Sequence, residues 1–168
     1  QAGILIAGGG VPLDAVRVDY AAGAVEAAVL EAAEALPADG LVLVEGQGSL
    51  CHPGSTATLP LLRGSQPTDL LLVHRADQTS IERLPQIPLP ALQELVNLCE
   101  ALAALGRPRA AGAPPRVRAV ALNTARLGEQ DARSAVASVS DQLGLPCTDP
   151  IRWGGERLLD AVLNSCGE

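Results

Sequence analysis

The chain reads as an α/β protein built on a parallel sheet flanked by helices. Short apolar runs at residues 3–7, 41–44, 70–73 and 117–122 are each cut off by glycine or polar residues. Buried parallel strands look like this, because both of their faces are covered. Between and after these runs lie stretches with helical periodicity, and strand–helix alternation of this kind implies βαβ units. With no internal repeat or linker in its 168 residues, the chain is expected to form one domain, long enough for a real hydrophobic core.

In chain order, the first strand (3–7) runs into Gly8-Gly9-Gly10. A helix over 21–36 follows, with Val25, Ala28, Val29, Ala32 and Leu36 on its apolar stripe. Asp19 stands where it could cap that helix. The second strand (41–44) ends at Glu45, and the loop Gly46-Gln47-Gly48-Ser49 follows. The third (70–73) leads to His74-Arg75 and then to a long segment, 75–90, punctuated by Pro85, Pro88 and Pro90. Loops of that length commonly act as lids or binding loops. A helix over 91–105 presents Leu92, Leu95, Val96, Cys99 and Leu102, and Gly106 is a good terminator. Residues 106–116 read as an exposed insertion. The fourth strand (117–122) ends at Asn123-Thr124. Helices over 129–143, stopped by Gly144, and over 155–163 complete the pattern.

Composition excludes several classes. A net charge of −7 opposes binding to a phosphate backbone, so no nucleic-acid partner is expected. No apolar run approaches the roughly 20 residues needed to span a bilayer. Neither a membrane nor a secretory leader is expected, and a cytoplasmic setting follows. Cys51, Cys99, Cys147 and Cys166 are far apart, form no C-x-x-C pair and read as structural thiols. No metal site is expected. All twelve basic residues are arginine, so the lysine of a G-x-x-x-x-G-K-[ST] phosphate loop is missing. The chain also lacks Met and begins at Gln1. Both absences suggest a piece of a longer product whose phosphate loop lies upstream.

Right-handed crossovers place the ends of parallel strands on one sheet edge, where ligands of α/β proteins bind. Gly8–Gly10, Glu45–Gly48, His74-Arg75 and Asn123-Thr124 are therefore expected to converge on one site.

The motifs also carry a resemblance. Val44-Glu45-Gly46-Gln47-Gly48-Ser49-Leu50 with His52-Pro53 is joined by Asp19-Tyr20-Ala21-Ala22-Gly23-Ala24, Leu62-Arg63-Gly64-Ser65-Gln66-Pro67 and Thr148-Asp149-Pro150-Ile151-Arg152-Trp153-Gly154. In this order they resemble the DgcN-type family, D-glutamate N-acetyltransferase-like proteins. The resemblance covers nearly the whole chain. It implies a cytoplasmic protein with an N-terminal Rossmann-like domain and a P-loop domain. Most of the latter would be this chain, P-loop NTPase-like but lacking the Walker A segment. The implied reaction moves an acetyl group from acetyl-CoA to the amino group of an acidic D-amino acid, and the 168 residues alone are expected to be inactive. The fold is also similar to that of dethiobiotin synthetase, whose V-E-G-x-G segment lies beside phosphates. That likeness keeps open an ATP- and Mg²⁺-dependent ligase or kinase-like enzyme, and beyond it a non-enzymatic nucleotide sensor. The expected partner is a small-molecule substrate, with a homo-oligomer left open.

Each candidate has a plainer reading beside it. Glu45 is the favoured base for the attacking amine, or else a turn cap. Gly46 and Gly48 bring backbone N–H groups near a phosphate, carboxylate or oxyanion, or simply make a tight turn. Gln47 and Ser49 orient substrate, or Ser49 caps a short helix. His52 serves as acid, base or phosphate donor, or as a loop anchor. His74 ends a strand beside Arg75, which suits a carboxylate or CoA phosphate in bidentate fashion, or a salt bridge to Asp77 or Glu82. Asp14 and Asp19 bind an amine or metal, or serve as caps. Asn123-Thr124 stands at the base-contacting position of related nucleotide enzymes, or forms an Asx turn. Arg63, Ser65 and Gln66 form an anion site or a solvated turn. Asp149, Arg152 and Trp153 read as a structural knot.

Overall fold

The computed structural model describes residues 16–37, 40–46, 48–108 and 112–164. They fall into two compact units, Gln1–Pro67 with Leu102–Ala111, and Thr68–Ala101 with Gly112–Glu168. The expected strand at 3–7 and the Gly8–Gly10 run lie outside the described residues.

The first unit is built on two helices. Helix α1 (Val18–Glu34) buries Ala21, Val25 and Ala28, residues three and four apart on one face. It begins before Asp19, which lies in the first turn and favours the positive end of the helix dipole without capping it. Helix α2 (Thr58–Ser65) accommodates Pro60 because the first turn has no intrahelical partner for its missing N–H. Val25 and Leu61 centre the core, with Ala24, Val29, Val44 and Ala57 against them.

Gly64 sits where the two helices cross. A Cβ there would overlap the Ala22 carbonyl oxygen and lie 2.7 Å from the Val25 Cβ. Gly64→Val is therefore expected to cost about 1–3 kcal/mol through overpacking, read from the urea midpoint. An unchanged midpoint would show a looser crossing. At the end of α2, Gln66 is left-handed, and Arg107 Nη1 donates to the carbonyls of Gln66 (3.2 Å) and Pro67 (2.5 Å). Ser65 Oγ donates back to the Leu61 carbonyl. This is the carbonyl end of a helix, whose dipole repels anions, so the plain turn describes Arg63, Ser65 and Gln66 better than an anion site does.

The expected strand at 41–44 is not formed. Residues 40–46 are irregular and Leu43 is 86% exposed, although Val44 packs into the helical core. A strand is defined by the neighbour that takes its backbone hydrogen bonds. Among the described residues, no strand pairs with this segment.

The second unit holds the parallel sheet. Strand β1 (Asp69–Arg75) is followed by a short antiparallel hairpin, β2 (Ser80–Ile81) and β3 (Leu84–Pro88), with Glu82 and Arg83 in its turn. This hairpin replaces the open loop expected over 75–90. Helix α3 (Leu92–Ala104) leads towards β4 (Arg116–Asn123), α4 (Glu129–Leu143) and β5 (Cys147–Thr148). The chain continues as α5 (Pro150–Trp153) and α6 (Glu156–Leu163). The sheet order is β1-β4-β5, and both pairings are parallel.

Two right-handed crossovers that advance in the same direction leave their helices on one face. The core shows this: Leu72, Val120 and Leu122 meet Val96 and Leu95 of α3 and Val136 and Val139 of α4. Ala119 and Ala121 meet Leu158 and Ala161 of α6 on the other face. The small alanines on that side let α6 come close. In β4 the alternation shifts phase at a bulge: Leu70 and Leu71 pair with Val117 and Ala119, which are two residues apart yet lie on opposite faces. Arg118 is the extra residue, and its Nε donates to Asp69 Oδ1 at 2.6 Å. Cys147 is fully buried, and burial pushes its thiol up to about 11 against a smaller opposing effect of Arg157. It stays protonated and packs as a small hydrophobe. Among the described residues, no helix is long and apolar enough to cross a membrane.

Candidate functional site

The ends of β1 and β4 lie side by side at the carboxyl edge of the parallel sheet. Arg75 is in register with Asn123, and the Ala76 N–H donates to the Asn123 carbonyl at 3.0 Å, carrying the ladder one step further. This is the edge at which open α/β sheets bind ligands. It brings together His74, Arg75, Asn123 and Thr124, four of the residues singled out in the sequence.

His74 is half-buried, and burial, reinforced by the Arg75 guanidinium, holds its imidazole below the usual histidine range. It is neutral near pH 7 and available as a hydrogen-bonding group rather than a cation. Arg75 Nη1 donates to Glu82 Oε2 at 3.2 Å. Arg126, in the turn after β4, donates through Nη2 to Glu82 Oε1 at 3.2 Å. These two hydrogen bonds keep the exposed Glu82 carboxyl below its ordinary range. Asn123 Oδ1 accepts from the Ala125 N–H at 3.0 Å, an Asx turn.

Thr124 is 1% exposed, and both its N–H and its hydroxyl donate to Asp149 Oδ2, at 2.9 and 2.5 Å. Asp149 is itself 2% exposed, and its Oδ1 accepts from the Ile151 and Arg152 N–H groups at the start of α5. Burial alone would raise the carboxyl, but these hydrogen bonds outweigh it and hold the group below the usual aspartate range. Arg152 donates through Nη2 to the carbonyls of Thr124 (3.2 Å) and Leu127 (2.7 Å). Asp149 and Arg152 thus tie the ends of β4 and β5 to α5, the knot expected from the sequence. The Arg133 guanidinium lies 4.9 Å from the centre of the Trp153 ring.

The second group of candidates belongs to the first unit. Glu45 and Gly46 are exposed on the irregular 40–46 segment, and a Cβ on Gly46 would meet nothing within 4 Å. Gly48 has φ +79° and faces Ser55 so closely that a Cβ would overlap its hydroxyl, so glycine is required there. Ser49 Oγ accepts from the Cys51 N–H at 3.2 Å. His52 Nδ1 accepts from the Gly54 N–H at 3.0 Å, which places the proton of a neutral ring on Nε2. Gln47 and Asp14 lie outside the described residues, and Asp19 is exposed on α1. Among the described residues, no three His, Cys, Asp or Glu side chains cluster as a metal site.

A strongly glycine-punctuated loop and a parallel-sheet edge furnished with arginine are features of phosphate- and carboxylate-binding α/β proteins. Residues 1–159 match the family described as DUF1611, a domain of unknown function, C-terminal P-loop domain. The chain belongs to that family. As a DUF1611 P-loop domain it is similar to a D-glutamate N-acetyltransferase from Tritonibacter scottomollicae, 39% identical over 96% of this chain and 46% of that protein. It is also similar to a D-glutamate N-acetyltransferase from a Pseudoalteromonas species, 33% identical over 99% of this chain and 47% of that protein. The DgcN-type resemblance drawn from the motifs is thereby supported. The crystal structure of a DUF1611 family protein from Anabaena variabilis superposes with a TM-score of 0.84 at 52% identity. That match covers 94% of this chain and 44% of that one. The DUF1611 domain thus spans less than half the length of these relatives.

Of the two salt bridges that the sequence allows Arg75, to Asp77 or to Glu82, the structure forms the one to Glu82. Arg126, the second arginine on that carboxylate, carries no motif and is not legible in the sequence. Arg126 is 44 residues from Glu82 in the chain, and only the parallel pairing of β1 with β4 brings them together.

Proposed function

We propose that the full-length protein is a D-glutamate N-acetyltransferase-like enzyme that moves an acetyl group from acetyl-CoA to the amino group of an acidic D-amino acid. The observation that carries this reading is the likeness, along almost the whole chain, to two relatives bearing that activity in their names. In the reaction, the deprotonated amine attacks the thioester carbonyl carbon. The carbon–sulfur bond then breaks. Of the two protons the ammonium gives up, one passes to a base before the attack and the other ends on sulfur as CoA leaves as its thiol. Glu45 is assigned as that base. N–H groups of the Gly46–Gly48 loop serve as donors to the developing oxyanion, and His52 as a hydrogen-bond donor, through Nε2–H, to the leaving sulfur. Arg75 recognises the substrate carboxylate, with the neutral His74 beside it.

The P-loop character of the family favours a second reading, an ATP- and Mg²⁺-dependent ligase or kinase-like enzyme, in which Asn123 contacts the base. One experiment separates the two. The full-length gene product is incubated with D-glutamate and acetyl-CoA, and in parallel with D-glutamate, ATP and Mg²⁺. Appearance of N-acetylglutamate with an equal amount of free CoA thiol is expected in the first mixture. ADP formation in the second, with no acetylated product in the first, would overturn the transferase reading.

A further inference from the structure

Arg75 and Arg126 converge on the Glu82 carboxylate. Arg75 is the last residue of β1, and Arg126 follows the end of β4 by three residues, so both belong to the ligand-binding edge of the sheet. Each guanidinium takes a different oxygen of the same carboxylate, Arg75 Nη1 to Oε2 and Arg126 Nη2 to Oε1, both at 3.2 Å. Two guanidiniums on either side of one carboxylate are the usual way to grip a carboxylate with fixed orientation.

A stabilising role explains little of this, because exposed ion pairs contribute about 0–1 kcal/mol. The charges do not balance either. Two arginines face one glutamate, and with Arg83 beside it in the hairpin turn and Asp77 in the turn after β1, positive charge still leads. Glu82 sits on the turn of a hairpin whose first strand is two residues long, joined to β1 by a short turn. Ile81 anchors the hairpin at 5% exposure, while the Glu82 side chain is 59% exposed and can leave the arginines by changing rotamer alone.

We propose that Arg75 and Arg126 form a clamp for a carboxylate of an acidic ligand, and that Glu82 is its internal occupant, displaced when the ligand binds. The assignment of that ligand group to the side-chain carboxylate of D-glutamate rests on the function proposed above. The clamp itself does not. Glu82 then sets specificity: an incoming group must carry enough charge and the right planar shape to replace a carboxylate already in place, which neutral side chains cannot do.

The test uses titration calorimetry of the full-length protein with glutarate, a dicarboxylate without an amine, alongside steady-state kinetics with D-glutamate. Glu82→Gln removes the competitor and is expected to tighten glutarate by about threefold or more. Arg126→Ala is expected to weaken it about tenfold, as loss of a charge-assisted hydrogen bond does, and Arg75→Ala likewise. KM for D-glutamate should follow these changes while kcat stays near the wild-type value. Arg133→Ala, an exposed arginine on α4, controls for net charge and should leave glutarate binding unchanged. Weaker or unchanged binding in Glu82→Gln overturns the proposal, as does indifference to Arg126→Ala. Binding of adenosine 3′,5′-bisphosphate at this pair in place of glutarate overturns the carboxylate assignment. If glutarate follows the expected pattern but no acetyl transfer occurs, the clamp stands and the transferase reading falls. If transfer occurs with a KM indifferent to both variants, the reverse holds.

Discussion

Asp149→Ala is expected to lower stability by about 3–5 kcal/mol, the range for breaking a buried charged hydrogen-bond network. The carboxylate takes four hydrogen bonds: two from Thr124 and two from the first backbone N–H groups of α5. Alanine leaves the Thr124 N–H and hydroxyl buried without a partner, at about 1–3 kcal/mol each, and removes a helix cap worth about 1 kcal/mol more. Asp149→Asn retains an acceptor oxygen and should cost less. The two variants also differ from wild type in their response to acid. In the folded state the Asp149 carboxyl lies below its ordinary range, and in the unfolded chain it returns to about 4. Its contribution is therefore complete above about pH 4 and is lost as pH falls through the lower folded value. The gap in urea midpoint between wild type and Asp149→Asn, measured from pH 7 down to pH 3, should narrow as the pH falls below about 4. A gap that stays constant with pH would show that the charge of Asp149 is not what holds the knot.

The elements most legible in the sequence are those with a strong period and an unambiguous stop. Helix α4 occupies the expected 129–143, and α3 falls within one residue of the expected span at each end. In both cases a glycine with positive φ, Gly106 at +81° or Gly144 at +64°, follows within two residues. Strands β1 and β4 contain the apolar runs that announce them, although Arg118 interrupts the second at the bulge and Leu71 and Val73 leave one face of β1 exposed. The hairpin β2–β3 escaped because Pro85 and Pro88 read as breakers. Both are tolerated in β3 because its second edge need not donate hydrogen bonds. Helix α2 was hidden by Pro60 and Gly64, one harmless in a first turn and the other required by a close helix crossing.

The candidate site was legible wherever topology alone decides proximity. Register between β1 and β4 puts Arg75 beside Asn123 once both strands are recognised. Side-chain pairing was not legible in the same way. Thr124 and Asp149 are 25 residues apart, and nothing in either neighbourhood says that a threonine hydroxyl will turn inward to a buried carboxylate. The 41–44 run shows the opposite failure. Its composition suits a strand, but strand formation depends on a partner, and composition carries no information about one.

Glu45→Gln in the full-length protein is expected to lower kcat for acetyl transfer by about 10²–10⁴-fold, the usual contribution of a general base. The amino group of a free amino acid is protonated near neutral pH, so transfer cannot proceed until something accepts that proton. A carboxylate on an exposed, glycine-flanked segment is accessible to substrate, and neither Gly46 nor Gly48 carries a side chain to obstruct the approach. Glutamine keeps the shape and one acceptor oxygen but cannot take up the proton. KM for D-glutamate should therefore change little, and the melting temperature should match wild type because the side chain is exposed. A rate unchanged in Glu45→Gln would remove Glu45 from the chemistry. A raised KM with kcat intact would make it a binding residue instead. Raising the pH discriminates further. As solvent takes over removal of the ammonium proton, the variant should recover part of its rate while the wild type gains little, whereas a positioning role predicts parallel profiles.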